Sequence, residues 1–481
     1  MTRSEFPFRA VLRQARFRPS FSALFVAPTL LICGLGCSSS DGSGGNGVNS
    51  SGGSSGATVG GAGRTSTGGS TTSAGAGSSG GPISAGAGNA GAGNAGANSS
   101  GGASGGTSSG GTASGGTASG GAAGGGTASG GTAGGSTAGS GGAIDARALV
   151  KALGFGTNIG NTLENTVTWE TGWGQPLITQ AFINGLASRG IKTVRVPVAW
   201  DTYAKNGVID SAKMDRVKQV VSWITAAGMY AIVNIHWDGG WINNEKGSPP
   251  FSLTTEIKTK FTSYWQQIGT AFSGVGHQLI LEGMNEEGSW TTDGQKYGTP
   301  NIPPLNEMNQ LFVNTVRAQG GFNATRALLI AGFNTDLEKT CVPAFTIPTD
   351  PAGTGKLFLS IHYYTPWTFT IKEQNDSDTS QPVSTTWGTA AEKQTLEDLF
   401  TKLGTCSSDK KIPVILGEFA VTRGTDPYVR EAASRTAWMT AVAKASVARG
   451  IVPVLWDTGS EISRVDGAFS AEFQKAFDSV K

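Results

Sequence analysis

Acidic and imidazole side chains stand at the ends of several short apolar runs after residue 150. Glu286 ends one such run, Glu418 ends another, and His236 and His362 end two more. Carboxyl and imidazole groups are the side chains that most often transfer protons in catalysis. A lone glutamate at the end of a strand is more commonly a solvated rim residue. The significance of these groups therefore depends on whether one fold brings them together.

The elements that must position these groups follow from alternating strand and helix patterns. Eight short apolar runs predict strands at 154–160, 192–198, 230–236, 278–285, 327–333, 356–362, 412–419 and 452–457. Amphipathic segments predict helices at 178–189, 212–227, 256–272, 305–319, 390–403 and 428–448, and only the fifth crossover, around 341–351, lacks a clear helix. This alternation predicts an α/β fold, a (β/α)8 TIM barrel. A doubly wound open sheet is the alternative, but no Gly-x-Gly-x-x-Gly turn follows the first strand.

Catalytic residues of such a barrel lie at the C-terminal ends of its strands. Seven of the eight predicted strands carry polar or aromatic groups there: Asn158 and Asn161, Arg195, His236, Asn285 and Glu286, His362 and Tyr364, Glu418, and Trp456 and Asp457. Their concentration on one rim favours a functional site. Arg195 also lies inside an apolar strand, which is costly for a charged group unless it is paired, so it predicts a buried carboxylate nearby.

Six runs, in order along the chain, resemble glycoside hydrolase family 5: NIGNTLE (158–164), TVRVP (193–197), NIH (234–236), LEGMNE (281–286), IHYY (361–364) and GEF (417–419). The similarity extends from about Phe155 to Asp457, and WETGWG (169–174) and DGGW (238–241) add a likeness to bacterial endo-β-1,4-glucanases and xyloglucanases. The resemblance implies a retaining, endo-acting β-glycanase that hydrolyses cellulose, xyloglucan or mixed-linkage glucan by double displacement. The alternatives are a β-mannanase or another β-glucan hydrolase of this fold, and a surface carbohydrate-binding lipoprotein without activity.

The resemblance also implies roles for individual residues. Glu286 matches the acid/base and Glu418 the nucleophile, and retention requires carboxyl groups about 5 to 5.5 Å apart. Arg195 and Tyr364 match positions that keep Glu418 ionised, while the charge of Glu418 is expected to keep Glu286 protonated. The other matches bind or orient: Asn285 beside the acid/base, His236 and His362 on sugar hydroxyls or the carboxylates, Trp456 against the central sugar, and Asn161 and Glu164 on hydroxyls of the next sugar.

Two positions depart from the family pattern. Trp237 stands where many relatives have a second histidine, and Glu287 stands where proline often follows the acid/base. Both are expected to line the cleft, where Trp237 adds stacking area or narrows a subsite. Neighbouring residues at a strand end point in different directions, so only one of Glu286 and Glu287 faces the nucleophile. Six tryptophans expected to be exposed in loops are candidates for stacking on sugars or for packing: Trp169, Trp173, Trp237, Trp241, Trp290 and Trp367.

The first 143 residues have a different composition. Five arginines precede an apolar run at 21–35, which is typical of an export signal and shorter than the ~20 residues of a membrane span. The run ends in Leu35-Gly36-Cys37, which resembles a bacterial lipoprotein signal with an acylated cysteine; ordinary cleavage is the alternative. Residues 38–143 are almost wholly Gly, Ser, Ala and Thr, which predicts a disordered linker. We therefore expect a signal peptide at 1–37, a linker at 38–143 and a catalytic barrel at 144–481, lipid-anchored outside the cytoplasm to the outer membrane of a bacterium.

Composition limits the remaining functions. A net charge of +2 does not favour nucleic-acid binding, and only three histidines, without metal-ligand spacing, favour neither a metal nor a cofactor. No Gly-x-Ser-x-Gly elbow supports an esterase. Cys341 and Cys406 form either a disulfide or two buried free thiols. The expected partner is a polysaccharide bound by a monomer, with membrane contact only through the lipid.

Overall fold

Eight parallel strands close into one barrel in the computed structural model, which describes residues 145–245, 251–373 and 380–481. They are β1 Gly156–Asn158, β2 Thr193–Val196, β3 Tyr230–Asn234, β4 Leu279–Glu282, β5 Leu328–Ala331, β6 Leu357–Tyr363, β7 Val414–Phe419 and β8 Val452–Leu455. Each strand pairs with its neighbours along the chain, and β8 closes the barrel against β1. The predicted (β/α)8 TIM barrel is confirmed. The predicted signal peptide, the linker and Cys37 lie outside the described residues.

One helix precedes β1, and the other helices follow strands. They are α1 Ala146–Leu153, α2 Gln180–Ser188, α3 Ser211–Ala226, α4 Thr255–Ala271, α5 Ile302–Arg317, α6 Leu337–Thr340, α7 Trp367–Thr370, α8 Ala390–Asp409, α9 Ala432–Ala448 and α10 Ala471–Asp478. The fifth crossover holds a 3-10 turn at Phe333–Thr335 and the single turn α6, and no long helix, as its sequence predicts. Helices α1, α7 and α10 and the small antiparallel hairpin of Ala204–Lys205 with Val208–Ile209 lie outside the predicted elements. Among the described residues, no helix is long and apolar enough to cross a membrane.

One end of the barrel interior is apolar and closed by α1. Apolar side chains from four neighbouring strands, β3 to β6, meet there, and Leu153 of α1 packs against them. They are Ile232, Ile280, Leu329 and Phe358. The larger core fills the space between the outer faces of the strands and the surrounding helices. Since the lower interior is filled by aliphatic side chains, polar groups of the strands are concentrated towards the C-terminal ends.

Strand register brings two pairs of predicted site residues side by side. Asn158 of β1 is the register partner of Arg195 of β2, and His362 of β6 is the partner of Glu418 of β7. The second pairing follows a register shift beside Gly417, and such bulges redirect side chains next to active sites. Gly417 leaves the room that this needs, because a Cβ atom there would lie 3.0 Å from Nε2 of His362.

Cys341 and Cys406 form a disulfide, with Cα atoms 5.7 Å apart. Of the two alternatives left open by the sequence, the structure shows the bridge. It joins the end of α6 to α8 across 65 residues of chain.

Candidate active site

Arg195 occupies the centre of the barrel below the rim, fully buried. Its Nη1 donates to Oε1 of Glu418 at 2.8 Å and to Oδ1 of Asn158 at 3.0 Å, and its Nη2 donates to Oδ1 of Asn285 at 2.8 Å. Its Nε donates to Oε2 of Glu282 at 2.6 Å. Burial alone would lower the pKa of Arg195, but Glu282 and Glu418 raise it above its ordinary value. The sequence predicts one buried carboxylate beside this arginine, and the structure shows two, Glu282 and Glu418.

Glu418 is held by two donors, Arg195 of β2 and Tyr364, which directly follows β6. Arg195 contacts one carboxylate oxygen, and the Tyr364 hydroxyl donates to the other at 2.9 Å. Burial is the largest influence on Glu418 and raises its pKa, whereas His362, Arg195 and Tyr364 act in the opposite direction. The two donors thus favour the ionised carboxylate in a site whose burial disfavours charge.

Glu286 lies on the other side of His362. Nδ1 of His362 hydrogen-bonds Oε1 of Glu286 at 2.6 Å and lies 3.7 Å from Oε2 of Glu418. Burial raises the pKa of Glu286 to about 7; Arg195 opposes this and the charge of Glu282 adds to it. From the sequence, the charge of Glu418 is expected to keep Glu286 protonated. In the structure the main cause of the raised pKa is burial, and the charge that contributes is that of Glu282. Burial also lowers the pKa of His362 to about 4, so the imidazole is neutral near neutral pH.

The two glutamates face each other across a short gap. A side-chain oxygen of Glu286 and one of Glu418 lie within 4.8 Å, with Nδ1 of His362 in the same group. These three groups are spaced as ligands of a metal ion would be. The Arg195 guanidinium already places a positive charge against Glu418, which disfavours a second cation there. The arrangement suits two carboxyl groups that act on one bond from opposite sides.

Two stacked aromatic rings, which follow β3 and β8, form an aromatic wall at the C-terminal ends of the strands. The half-buried Trp456 stacks parallel to His236, with ring centroids 5.6 Å apart and planes 5° apart. Gly160 backs this wall, because a Cβ atom there would lie 3.0 Å from the Trp456 ring. Burial lowers the pKa of His236 well below its ordinary value, so it is a neutral hydrogen-bonding group. A flat indole beside neutral polar groups suits the face of a sugar ring.

Glu164 faces the backbone of its own loop. Its carboxylate accepts hydrogen bonds from the N–H groups of Asn161 and Thr162, and it is 3% exposed. Burial raises the pKa of Glu164 to about 7. Asn161 adopts a left-handed backbone with φ 61° and is half-buried. Glu164 therefore shapes the loop that presents Asn161, and its sugar-binding role stays a prediction.

Glu287 points away from the gap. It is 3% exposed and lies beside Glu245 and Lys296, so the expectation that it lines the cleft is wrong. Burial, with the charge of Glu245, raises its pKa well above the ordinary value. Trp237 is half-buried and its indole N–H donates to Oε2 of Glu245 at 3.3 Å, while Lys296 pairs with Oε1 at 2.7 Å.

The tryptophans in the loops separate into two groups. Trp169 is 7% exposed and Trp290 is fully buried, so the expectation that these two are exposed is wrong. Trp169 packs edge-on against Tyr203 at 4.8 Å between centroids. Trp173, Trp241 and Trp367 are half-buried, as Trp237 is. Burial depends on how each loop folds back on the barrel, which composition does not reveal.

Three residues of the site escape the sequence patterns. Glu282 and Ser360 lie in the barrel interior, where the Ser360 hydroxyl donates to Oε1 of Glu282 at 2.8 Å. Thr335 follows β5 and hydrogen-bonds the Glu286 carboxyl. Asn334 and Thr335 both have left-handed backbones, with φ 50° and 48°, which aim Thr335 into the site. The pairing of Arg195 with a buried carboxylate was the one signal that pointed to Glu282.

Comparison with known proteins agrees with this geometry. Residues 153–461 match the family model described as "Cellulase (glycosyl hydrolase family 5)". Endoglucanase A of Paenibacillus barcinonensis is 32% identical over 351 residues, which cover 66% of this chain and 84% of that protein. The xyloglucan-specific endo-beta-1,4-glucanase BoGH5A of Bacteroides ovatus is 33% identical over 337 residues, which cover 65% and 64%.

Solved structures resemble the barrel as well. A GH5-4 broad specificity endoglucanase from an uncultured bovine rumen ciliate superposes with a TM-score of 0.61 at 32% identity, over 70% of this chain and 97% of that one. The Bacteroides ovatus GH5 xyloglucanase in complex with a XXXG heptasaccharide gives 0.61 at 29% identity, over 70% and 76%. The barrel is therefore that of a glycoside hydrolase. The chain belongs to glycosyl hydrolase family 5.

Proposed function

We propose that this chain is a retaining endo-β-1,4-glucanase with Glu286 as acid/base and Glu418 as nucleophile. One observation carries the assignment: oxygens of the two glutamates lie within 4.8 Å, the short separation that direct attack requires. An inverting enzyme keeps its carboxyl groups roughly 6.5 to 9.5 Å apart to admit a water molecule. The short separation supports double displacement.

The two protonation states follow from the surroundings. Glu286, with a pKa of about 7, keeps its proton and gives it to the leaving glycosidic oxygen. Glu418 attacks the anomeric carbon while Arg195 and Tyr364 hold its two oxygens. Once Glu418 is esterified, the ionised Glu286 takes a proton from water, which attacks the same carbon and releases the second product.

β-1,4-Glucans are the proposed substrates. Relatives named as endoglucanases and as a xyloglucan-specific enzyme support this class, and the stacked pair of His236 and Trp456 offers a flat platform for an equatorially substituted sugar.

The test compares wild type with Glu286→Gln and Glu418→Gln on carboxymethylcellulose, xyloglucan, mixed-linkage glucan and mannan. Glu287→Gln is the matched control, because it is adjacent in sequence but buried beside Glu245 and Lys296. We expect the first two variants to lose about 10³-fold or more of kcat on a glucan and the control to keep wild-type kcat. A fully active Glu286→Gln or Glu418→Gln variant would refute the assignment, and cleavage of mannan alone would refute the substrate class.

The sequence before the barrel supports a proposal about location. The protein is exported, acylated at Cys37 and tethered to the cell surface by the linker at 38–143, whose reach as a random coil is about 55 Å. It works there as a monomer on polymeric substrate. Metabolic labelling with a palmitate analogue should mark wild type and not Cys37→Ser, and light scattering should give the mass of one chain. An unlabelled protein in the culture fluid contradicts the tether.

A further inference from the structure

The Arg195 guanidinium lies between two buried carboxylates. Its Nε donates to Glu282 at 2.6 Å and its Nη1 donates to Glu418 at 2.8 Å. Glu282 is fully buried at the end of β4, and its second oxygen accepts from Ser360 at 2.8 Å. Glu282 therefore reaches neither the rim nor the gap between the proposed catalytic glutamates, and it acts on them only through Arg195 and through its charge.

Glu282 supplies the net negative charge of the site. Over the pH range in which Glu418 is ionised and Glu286 keeps its proton, His236 and His362 are uncharged because burial lowers the pKa of each. Arg195 then faces Glu282 and Glu418, which leaves the site with one net negative charge. Without Glu282, the Arg195 charge would cancel that of Glu418 and the site would be neutral.

The net charge is conserved through the proposed reaction, on which this inference rests. A bond forms between Glu418 and the anomeric carbon as the glycosidic bond breaks, and the leaving oxygen takes the proton of Glu286. Glu418 thereby becomes a neutral ester and Glu286 a carboxylate, so one net negative charge stays beside the sugar. The transition state has oxocarbenium character and carries positive charge, which a negative site stabilises.

We propose that Glu282 is a positioning residue that fixes the Arg195 guanidinium against Glu418 and keeps the site at one net negative charge throughout the reaction. The negative charge of Glu282 also favours the protonated form of Glu286, since it raises the pKa of that carboxyl. Arg195 is thus able to orient Glu418 without abolishing the negative charge that the transition state needs.

The test is the pH dependence of kcat/KM in Glu282→Gln, an isosteric change that removes the charge. The ionisable groups that influence Glu286 or lie against it are His362, Arg195, Glu282, Glu418, Glu287 and Tyr364, and only Glu282 is altered. We expect the basic limb, which reports Glu286, to move to lower pH by about half a unit or more. We also expect kcat to fall roughly tenfold or more. A purely structural role would lower kcat without moving this limb.

Two controls keep the result interpretable. Ser360→Ala disturbs the other contact of Glu282 without changing charge, and Glu282→Asp keeps the charge on a shorter side chain; both should leave the basic limb within about 0.3 pH units of wild type. If Glu282→Gln does not give a folded protein by circular dichroism, Glu282→Asp carries the test. A basic limb unmoved in Glu282→Gln, or moved to lower pH in Glu282→Asp, overturns the inference. Activity that survives Glu286→Gln instead overturns the proposed function.

Discussion

Nδ1 of His362 lies 2.6 Å from Oε1 of Glu286, and both groups are neutral between about pH 4 and pH 7, because burial lowers the pKa of His362 to about 4 and raises that of Glu286 to about 7. A neutral imidazole has one donor and one acceptor nitrogen. In the tautomer with no proton on Nδ1, this nitrogen accepts a hydrogen bond from the protonated carboxyl group of Glu286. When Glu286 has lost its proton, the other tautomer donates to the carboxylate. Nε2 of His362 has no partner within the described part of the chain, so neither tautomer is locked from behind.

The pH profile of kcat/KM should be bell-shaped. Activity should fall as pH rises through about 7, because Glu286 then loses the proton that it must donate. The acidic limb reports Glu418, whose pKa is raised by burial, and should lie above the ordinary glutamate range. Initial rates on a soluble glucan between pH 4 and 9 measure both limbs. A profile flat through pH 8 would contradict the assignment of Glu286.

Tyr364→Phe should move the acidic limb to higher pH. The hydroxyl donates to Glu418 and lowers the pKa of that carboxyl, so its loss makes the proposed nucleophile harder to ionise. Tyr363→Phe is the matched control, because Tyr363 packs in the core against Phe400 and Trp438. An acidic limb that shifts equally in both variants would remove the specific role of Tyr364.

Buried acids should make the fold less stable as pH rises. A folded-state pKa raised above the unfolded value adds stability that is present at low pH and lost as pH rises through the folded pKa. Burial raises the pKa of Glu164 and Glu286 to about 7, and that of Glu287 well above its ordinary value. His236 and His362, whose pKa values burial lowers, act in the opposite direction as pH rises from 5 to 7 and offset part of this loss. We expect the net free energy of unfolding to fall by about 1 kcal/mol or more between pH 5 and pH 8.

Glu287→Gln separates one of these contributions. Relative to wild type, the variant should gain stability at pH 8 and change little at pH 5, since only the charged form of Glu287 is costly in its site. Denaturant unfolding at both pH values measures this. Glu431→Gln changes an exposed glutamate and serves as the control. Equal shifts at the two pH values would show that the charge of Glu287 is not the cause.

The sequence predicts the barrel and most of the rim because both depend on local patterns. Apolar runs alternate with amphipathic segments, and short motifs place Glu286, Glu418 and His362 at strand ends. No local pattern predicts a role for Glu282, because its contacts come from Arg195 and Ser360, 87 and 78 residues away. None predicts Thr335 either, because consecutive left-handed residues leave no recognisable pattern.

Trp237→Ala should raise KM on polymeric glucan by about tenfold and leave kcat little changed. The half-buried indole donates to Glu245 at 3.3 Å, and its proposed role is to stack on a sugar in the ground state and the transition state alike. Trp223→Ala removes a half-buried tryptophan on the outer helix α3 and should leave KM unchanged. A loss confined to kcat would place Trp237 in the reaction instead.

Replacing both cysteines of the bridge by serine should lower the free energy of unfolding by about 2 to 4 kcal/mol, because the disulfide closes a long loop in the unfolded chain. Turnover at 25 °C should be little affected, since Cys341 directly follows α6 and Cys406 lies in α8, outside the site. Denaturant unfolding of the double variant beside wild type measures the difference. Unchanged stability would show that the bridge is dispensable.

Trapping the covalent intermediate tests the central claim most directly. In Glu286→Gln, an aryl cellobioside with a good leaving group needs no acid to form the glycosyl-enzyme, whereas its hydrolysis lacks the base. We predict that mass spectrometry of the intact variant shows one added cellobiosyl unit and that the modified peptide carries it on Glu418. A sugar attached to any other residue, or turnover of the substrate by Glu418→Gln at the wild-type rate, would contradict the assignment of the two glutamates.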